Sequence, residues 1–464
     1  MLLLICAIFL LGLVLLATPR LHRLNAAAIA VFLAAMCWVT YMIGADDFLA
    51  AHHAEAYRLF LGGDAPTHHS AKLFVATEVF PMYVAVASGV VLFLLSTMNI
   101  VEILYNNGCF DFVTHWLRTR SPRRLMWMLA GLTFVLSANL DNLTTAVLML
   151  TLTRTLVATD RLRRIYGFVI VVAVACGGAM TVIGDVTGLT LWSEGLVTPT
   201  RYSAALALPC LAALCVTLLL LTPKLPARLD LVSAAGAYRG DDNLLPDWQR
   251  LLLLGIGIGG LWFIPTFHRL TQLPPFVGAL CVVAVLWVVN ELCNRRLMYS
   301  DRMSRRRFPT ALQYANVQNM LLFTGLILTF GAVRETGALD ALSSALAPHG
   351  GHMYLSGLVQ GALAALVGNV PSLIGGMAVY NTSFFADVVP LAYAPDGHFW
   401  TWLALCTSLG GALTLGGTVA GIFFERMEKA PLSWYLRHCA PRLIVGSLVA
   451  AIVFILQTWI TIST

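Results

Sequence analysis

The chain has 464 residues, of which 59% are hydrophobic and only 11% are charged. A soluble domain averages roughly 45 to 50% apolar and about 25% charged residues, so this composition excludes a soluble globular protein. The formal net charge is +6. In a membrane protein such a surplus reports which loops stay in the cytoplasm, so it does not imply an acidic partner or nucleic acid.

Ten apolar segments are long enough, or nearly so, to cross a bilayer, which takes about 20 helical residues. They are residues 1–17, 25–44, 73–98, 165–197, 203–222, 250–267, 275–293, 319–338, 400–424 and 443–462. The first segment has the length of a secretory signal, but Arg20 and Arg23 follow it and no basic residue precedes it. We therefore predict an all-α polytopic membrane protein.

The basic residues predict how these segments are oriented. If both the N-terminus and the C-terminus lie outside, all 29 Lys and Arg residues fall inside except Arg58, Lys72, Arg201, Arg269 and Arg334. This holds only if residues 125–153 enter and leave the membrane on the same side, because basic runs flank them on both sides. Residues 125–153 are thus predicted to form a re-entrant helical hairpin, with the polar run SANLDNLTT near its tip.

A second hairpin is predicted for residues 353–386, whose polar middle reads GNVPS and whose flanks carry no Lys or Arg. Each half of the chain then has about five spans and one hairpin. An odd number of spans reverses the orientation of the second half, which makes an inverted repeat. We place the first repeat at residues 1–222, a cytoplasmic linker at 223–249 and the second repeat at 250–464.

Two similar glycine-rich segments support the repeat. GGAMTVIGDVTG at 177–188 and GGALTLGGTVAG at 410–421 share seven of twelve positions, and similar offsets relate Gly108 and Asp111 to Gly337 and Asp340, and Asn142 to Asn369. Glycine-interrupted segments at corresponding places in two halves are typical of a transporter's binding site. We therefore predict broken helices at 165–197 and 400–424.

Few residues in these segments can carry ion chemistry. Placing a carboxylate near the bilayer centre costs about 2.5 to 3.5 kcal/mol of free energy. Asp141 and Asp185 are therefore candidate functional residues. Carboxylate, amide and hydroxyl oxygens suit a hard cation such as sodium, or a proton. The candidate cation and proton ligands are Asp141, Asn142, Thr144, Thr181, Asp185 and Thr187 in the first half and Asn369, Ser372, Thr414 and Thr418 in the second. Structural capping, and a simple hinge at GNVPS, are the alternative interpretations.

Four runs, LSANLDNLTTAVLMLTLTRTL, GGAMTVIGDVTGLTLW, GNVPSLIGGMAVY and FWTWLALCTSLGGALTLGGTVAGI, resemble the NhaD-type sodium/proton antiporters of the ion transporter superfamily. The resemblance extends from about Val90 to Trp459. It implies exchange of Na⁺ or Li⁺ for protons, with the transported ion at Asp141, Asn142, Asp185 and Asn369. It also implies a role for Glu102, which matches an acidic position of the family, although an interfacial ion pair explains this residue nearly as well.

Two departures from the family keep alternatives open. Gly368 stands where the family usually has an acid before NVP, and TVIGD replaces a break of the SPIGD type. A sodium-coupled transporter of carboxylates or other anions in the same superfamily is one alternative, although Asp141 argues against an anionic substrate. A transport-inactive membrane assembly subunit is another.

The remaining expectations concern partners and location. We expect an integral protein of the bacterial inner membrane that works without a cofactor, is not an enzyme and contacts only lipid, small cations and protons. The resemblance and the closely spaced glycines from Gly255 to Gly260 suggest a homodimer. The histidines at 52, 53, 68 and 69 fall in an outer loop, where they either sense acidity or are simply solvated.

Overall fold

α-Helices make up nearly all of the regular structure in the computed structural model of this protein. The structure describes residues 1–18, 24–110, 116–117, 119–226, 245–294, 310–339, 341–342, 353–380 and 391–463, without the side chains of 310–316 and 461–463. No β-strand occurs in those ranges. The predicted all-α class is therefore confirmed.

The helices of the N-terminal part are α1 Leu2–Ala17, α2 Ala26–Ile43, α3 Ala45–His52, α4 Ala54–Leu61, α5 His68–Phe74, α6 Phe80–Asn106, α7 Pro122–Asn139, α8 Asn142–Leu156, α9 Asp160–Met180, α10 Val186–Ser193 and α11 Pro199–Leu221. Those of the C-terminal part are α12 Asp247–Thr271, α13 Pro275–Asn294, α14 Thr310–Glu335, α15 Met353–Val367, α16 Asn369–Val379, α17 His398–Gly411, α18 Val419–Glu428, α19 Leu432–His438 and α20 Ala440–Ser463. A π-helical turn, Val75–Val79, joins α5 to α6.

Within the described residues, eight helical segments are long and apolar enough to cross a membrane. They comprise α2, α5 joined to α6, α9, α11, α12, α13, α14 and α20. Two of the ten predicted spans are absent from this set for simple reasons. α1 has only 16 residues, and the span predicted at 400–424 is divided between α17 and α18. The chain is a polytopic membrane protein.

Helix breaks occur where glycine and polar residues interrupt the apolar runs. The hairpin α7–α8 turns at Leu140 and Asp141, and the hairpin α15–α16 turns at Gly368 alone. α9 stops at Met180 before α10 begins, and residues 412–418 separate α17 from α18. The predicted end of the second hairpin, residues 381–386, lies outside the described residues.

One threonine hydroxyl links the break between α9 and α10 to the first hairpin. Thr181 Oγ1 donates to the carbonyl of Ala138 at 2.5 Å and accepts from the backbone N–H of Gly184 at 3.0 Å. The carbonyl belongs to the last turn of α7, where helical partners run out, and the N–H belongs to the break. A single side chain therefore satisfies two backbone groups that lipid cannot.

The second broken helix repeats this arrangement. Thr414 Oγ1 donates to Ala365 O at 2.7 Å and accepts from Gly417 N–H at 3.1 Å. These residues follow their counterparts at nearly the same offsets as the two glycine-rich segments. The local geometry of the two halves thus recurs, while their inverted relation in the membrane stays a prediction, as do the repeat boundaries. Asp111 and Asp340, which were also matched between the halves, lie outside the described residues.

The core of the molecule is the unit that contains the breaks. α9 is buried along most of its length, whereas α12, α13 and α20 expose most of their apolar surface. α9 packs against α7, α8, α11, α17 and α18. A second group consists of α1 and α2 against α14, and of α12 and α13 against α6. The exposed apolar helices form the perimeter that lipid contacts.

Ion pairs within the described residues join only helix ends that the predicted topology puts on one side. Arg154 and Arg163 bind Glu428, all predicted inside, and Arg201 binds Asp396, both predicted outside. The pairs therefore agree with the predicted grouping of the loops. Which group faces the cytoplasm stays a prediction from the basic residues.

Two loop histidines pair with acids. His68 Nδ1 lies 2.5 Å from Asp46 Oδ2 at an exposed position, whereas His53 contacts a buried acid. His53 Nε2 lies 2.5 Å from Glu335 Oε2 at the end of α14, and Tyr83 of α6 donates to the other carboxylate oxygen at 2.5 Å. This hydrogen bond to Glu335 raises the pKa of His53 above its ordinary value, against the opposing effect of burial. The histidine thereby ties the loop between α2 and α6 to α14.

We predict that His53→Gln lowers the melting temperature of the purified protein more at pH 6 than at pH 9. Because the pKa of His53 is raised in the folded state, its contribution to stability is complete below the unfolded pKa, about 6.5. That contribution is lost as pH rises through the folded pKa. His69→Gln, at an exposed position of the same loop, is the matched control. An equal loss at both pH values would contradict the prediction.

Candidate ion-binding site

The two predicted carboxylates line one cavity in the core. Asp141 stands at the start of α8 and Asp185 at the start of α10, and the starts of α16 and α18 contribute Asn369 and Thr418. The cavity has a volume of about 40 Å³. A single buried water needs at least about 10 to 15 Å³ of such space, so the cavity has room for a small ion or a few waters.

Asp141 uses one carboxylate oxygen for the fold and leaves the other available. Its Oδ2 accepts from the backbone N–H of Thr144 at 2.9 Å, which caps α8. Its Oδ1 is buried and has no hydrogen-bond partner among the described residues. The hydroxyls of Thr144 and Thr145 are likewise buried without a partner in the described part. Buried polar atoms are normally paired, so Asp141 Oδ1, which belongs to a residue of the cavity lining, is suited to a ligand or water.

Asn142 is fixed beside Asp141 at the first position of α8. Its Oδ1 accepts from Ser137 Oγ at 2.7 Å, and the same hydroxyl lies 2.9 Å from Val174 O of α9. A Cβ at Gly178 would collide with the Asn142 amide. The glycine pair of the first broken helix is therefore required for the hairpin tip to approach this closely.

Asp185 connects the two halves of the protein. Its side chain is buried, and Oδ2 accepts from Thr187 Oγ1 at 2.8 Å and from Asn369 Nδ2 at 3.0 Å. It makes no side-chain cap to its own helix. Its counterpart in the second half, Thr418, instead caps α18 by accepting from Gly421 N–H at 3.1 Å. The first half therefore places its acid at the cavity, while the second half uses the equivalent side chain for capping.

The tip of the second hairpin uses backbone geometry where the first uses a carboxylate. Gly368 has φ +106°, a conformation that L side chains rarely adopt. Asn369 N–H donates to Gly417 O at 3.0 Å, which holds the tip against the second break. The glycine at the position of Asp141 is therefore required by the turn itself.

Six predicted site residues do not line the cavity. Thr181 and Thr414 close the breaks, Thr187 holds Asp185, and Ser372 donates its hydroxyl toward the backbone and side-chain oxygens of Gln360, at 2.5 and 2.9 Å. Thr144 lies behind Asp141 in the first turn of α8. Glu102 is half-buried on α6, one helical turn beyond Met98, which does line the cavity.

Sequence reasoning missed the wall formed by α6 and α14. Leu94 and Met98 of α6 and Asn319, Met320 and Phe323 of α14 complete the lining. Asn319 is the only amide among them. The sequence did not single out Asn319, because an asparagine at the start of an apolar run is also common at the end of a membrane helix that has no binding site.

The electrostatics of the cavity come from helix ends and carboxylates together. Lining residues occupy the starts of α8, α10, α16 and α18, and each helix N-terminus carries roughly half a positive elementary charge. Four such ends offset roughly two negative charges, which matches the two carboxylates. No Lys or Arg lines the described cavity. Carboxylate oxygens in such a setting can bind either a proton or a small hard cation.

Comparison with known proteins identifies the family. A family model described as citrate transporter, CitMHS, matches residues 10–395. The chain belongs to this family. As a member of the citrate transporter family, the protein is a membrane transporter and not an enzyme.

Curated relatives of this family member confirm the resemblance to NhaD-type transporters. "Sodium/proton antiporter 1" of Arabidopsis thaliana is 33% identical over 359 residues, which are 76% of this chain and 59% of that protein. "Sodium/proton antiporter 2" of the same plant is 32% identical over 352 residues, 75% of this chain and 80% of the relative. "Na(+)/H(+) antiporter NhaD" of Vibrio cholerae serotype O1 is 23% identical over 394 residues, 79% of this chain and 77% of the relative.

We predict that Gly368→Ala destabilises the protein by about 1 to 3 kcal/mol, the usual cost of a strained backbone conformation. A Cβ at this position has room, since its nearest neighbour would be Pro371 Cδ at 3.5 Å, so the cost arises from the positive φ. Thermal unfolding of the purified protein measures it. Gly416→Ala is the matched control, because it lies in the neighbouring break with open space and without a positive φ. Equal melting temperatures for the two variants would contradict the prediction.

Proposed function

We propose that this transporter exchanges Na⁺ or Li⁺ for protons across the membrane, with Asp141 and Asp185 as shared carriers of cation and proton. The observation that carries the proposal is the meeting of two carboxylates at one cavity of about 40 Å³. Carboxylate oxygens bind either a proton or a hard cation, and both cannot occupy the same lone pairs. Competition for one site is sufficient for antiport.

The ligand set favours a small hard cation. Asp141 Oδ1 has no partner among the described residues, and Asp185, Asn142, Asn369 and Thr418 bring further oxygen-bearing side chains to the same cavity. Sodium and lithium prefer such oxygens, whereas soft metals prefer sulfur and imidazole. The names of the plant and bacterial relatives support sodium as the exchanged ion. The proposal needs no cofactor beyond the transported ions.

Transport of citrate or a related carboxylate is the second candidate, because the family model is described as citrate transporter. One feature argues against it. No Lys or Arg side chain lines the described cavity to bind the carboxylates of citrate, and the charged side chains that do line it are the acids Asp141 and Asp185. A transport-inactive subunit is less consistent with this site, because carboxylates at membrane depth are costly to keep without a function.

We further propose that the protein lies in the inner membrane of a bacterial cell, with both termini outside, and that it forms a homodimer. The distribution of Lys and Arg supports this orientation. Proton and sodium gradients across such a membrane supply the driving force, so no nucleotide is needed.

The proposal is tested by dye dequenching in inside-out vesicles energised with a proton gradient. We expect sodium and lithium, but not potassium or citrate, to restore fluorescence in the parent protein. Asp141→Asn and Asp185→Asn should each reduce the response at least about tenfold, because an amide has no negative charge for the cation and binds no proton at neutral pH, and losing one partner of a buried charge pair costs about 2 to 5 kcal/mol. Asp64→Asn, at an exposed loop position, is the control.

Each arm of this experiment decides a separate point. If no cation gives dequenching in the parent, the antiporter assignment is wrong. If both carboxylate variants keep full activity, the transported ion binds elsewhere. Citrate-dependent uptake in the parent would favour the second candidate.

A further inference from the structure

A buried acid at the end of α18 holds two arginines from the first half of the chain. Glu428 has a side chain that is 4% exposed, and its two carboxylate oxygens accept separately from Arg154 Nε at 2.7 Å and from Arg163 Nε at 3.1 Å. Arg154 belongs to α8 and Arg163 to α9. One carboxylate therefore joins three helices from both halves of the protein.

Backbone contacts reinforce this cluster. The Arg154 guanidinium also donates to the carbonyl of Met427, and Arg164 Nε lies 3.4 Å from the carbonyl of Glu428. These carbonyls belong to the last turn of α18, where helical partners are absent. The solvent-exposed side chain of Asp160 forms a further ion pair with Arg163. Only the Glu428 carboxylate is buried, since the Arg154 side chain is 45% exposed and that of Arg163 is 21% exposed. Removing either arginine would leave this buried acid with one charged partner fewer, which is more costly than losing a partner of the exposed Asp160.

The two helices that meet at Glu428 both begin at the ion cavity. α8 starts at Asn142 and carries its cap Asp141, and α18 starts at Val419 and carries its cap Thr418. All four residues line the cavity. α8 and α18 pack against each other between the cavity and the cluster. No turn joins the two helices directly, so non-covalent contacts fix their relative position, both to each other and through α9, which packs against both.

We propose that Glu428, Arg154 and Arg163 form an ionic clamp that fixes the start of α8 relative to the start of α18. These three are positioning residues, because they touch no lining atom and act through the two helices. The clamp holds Asp141 and Thr418 at a constant separation, so the cavity is already arranged when the cation enters. Preorganised sites bind more tightly because less ordering is needed on binding. This inference rests on the proposed exchange function only for its transport readout.

The first test measures the sodium concentration for half-maximal exchange (KM) in inside-out vesicles. We expect Glu428→Gln to raise this KM about three- to tenfold, with a smaller change in the maximal rate per folded protein. Arg154→Gln should give a similar but smaller rise, since Glu428 keeps Arg163. A variant with both Glu428→Gln and Arg154→Gln should raise the KM by less than the product of the two single increases, because both changes remove the same contact. Arg161→Gln is the control, because it removes an exposed charge of the same segment.

The second test does not depend on transport. Amide hydrogen exchange of the purified protein reports opening of residues 142–156 and 419–428 directly. We expect Arg154→Gln and Glu428→Gln to increase exchange in both segments, including the cavity end of α8. The Arg154 variant covers the case in which Glu428→Gln fails to fold.

The outcomes separate the clamp from the proposed function. Faster exchange confined to 419–428, or a maximal rate that falls while the KM stays unchanged, would overturn the clamp. Absence of any sodium response in the parent would overturn the antiporter proposal alone, and the hydrogen-exchange result would then decide the clamp by itself.

Discussion

A helix that stops inside a membrane leaves backbone donors and acceptors that lipid cannot bind, and the core of this protein is organised around that constraint. At each break one threonine, Thr181 or Thr414, bonds both the end of a hairpin helix and an N–H of the break. These bonds require close approach. Gly177 and Gly410 provide it, since a Cβ at either would collide with hairpin backbone. Four helix starts consequently face one small cavity, and the ionisable groups lie there.

Much of this arrangement could be predicted from local sequence. Apolar runs that are interrupted by both glycine and polar residues at corresponding places in the two halves indicate broken helices. Asp141 and Asp185 are identifiable as site residues because a carboxylate at membrane depth is costly unless something binds it. The capping role of Asp141 was also predictable, since a helix start after a turn requires a side-chain acceptor.

Other features depend on which helices pack together, and the sequence carries little signal for that. The threonines of the two breaks were predicted as cation ligands, but their hydroxyls are used by backbone groups. Asn319 joins the cavity only because α14 packs against α16 and α8. The bond from Asn369 to Asp185 joins residues far apart in sequence. The Glu428 cluster was missed because an acid beside Arg426 and Lys429 has the pattern of an ordinary surface segment.

The positive φ of Gly368 also bears on how this site can evolve. A single base change converts a glycine codon to one for aspartate, so an acid at the second hairpin tip is genetically close. The turn opposes that route, because any side chain at this position inherits an unfavourable backbone conformation. A lineage with this glycine would have to rebuild the loop before it gained the acid. The backbone geometry of one turn thus opposes any change that would give the two halves equal numbers of acids.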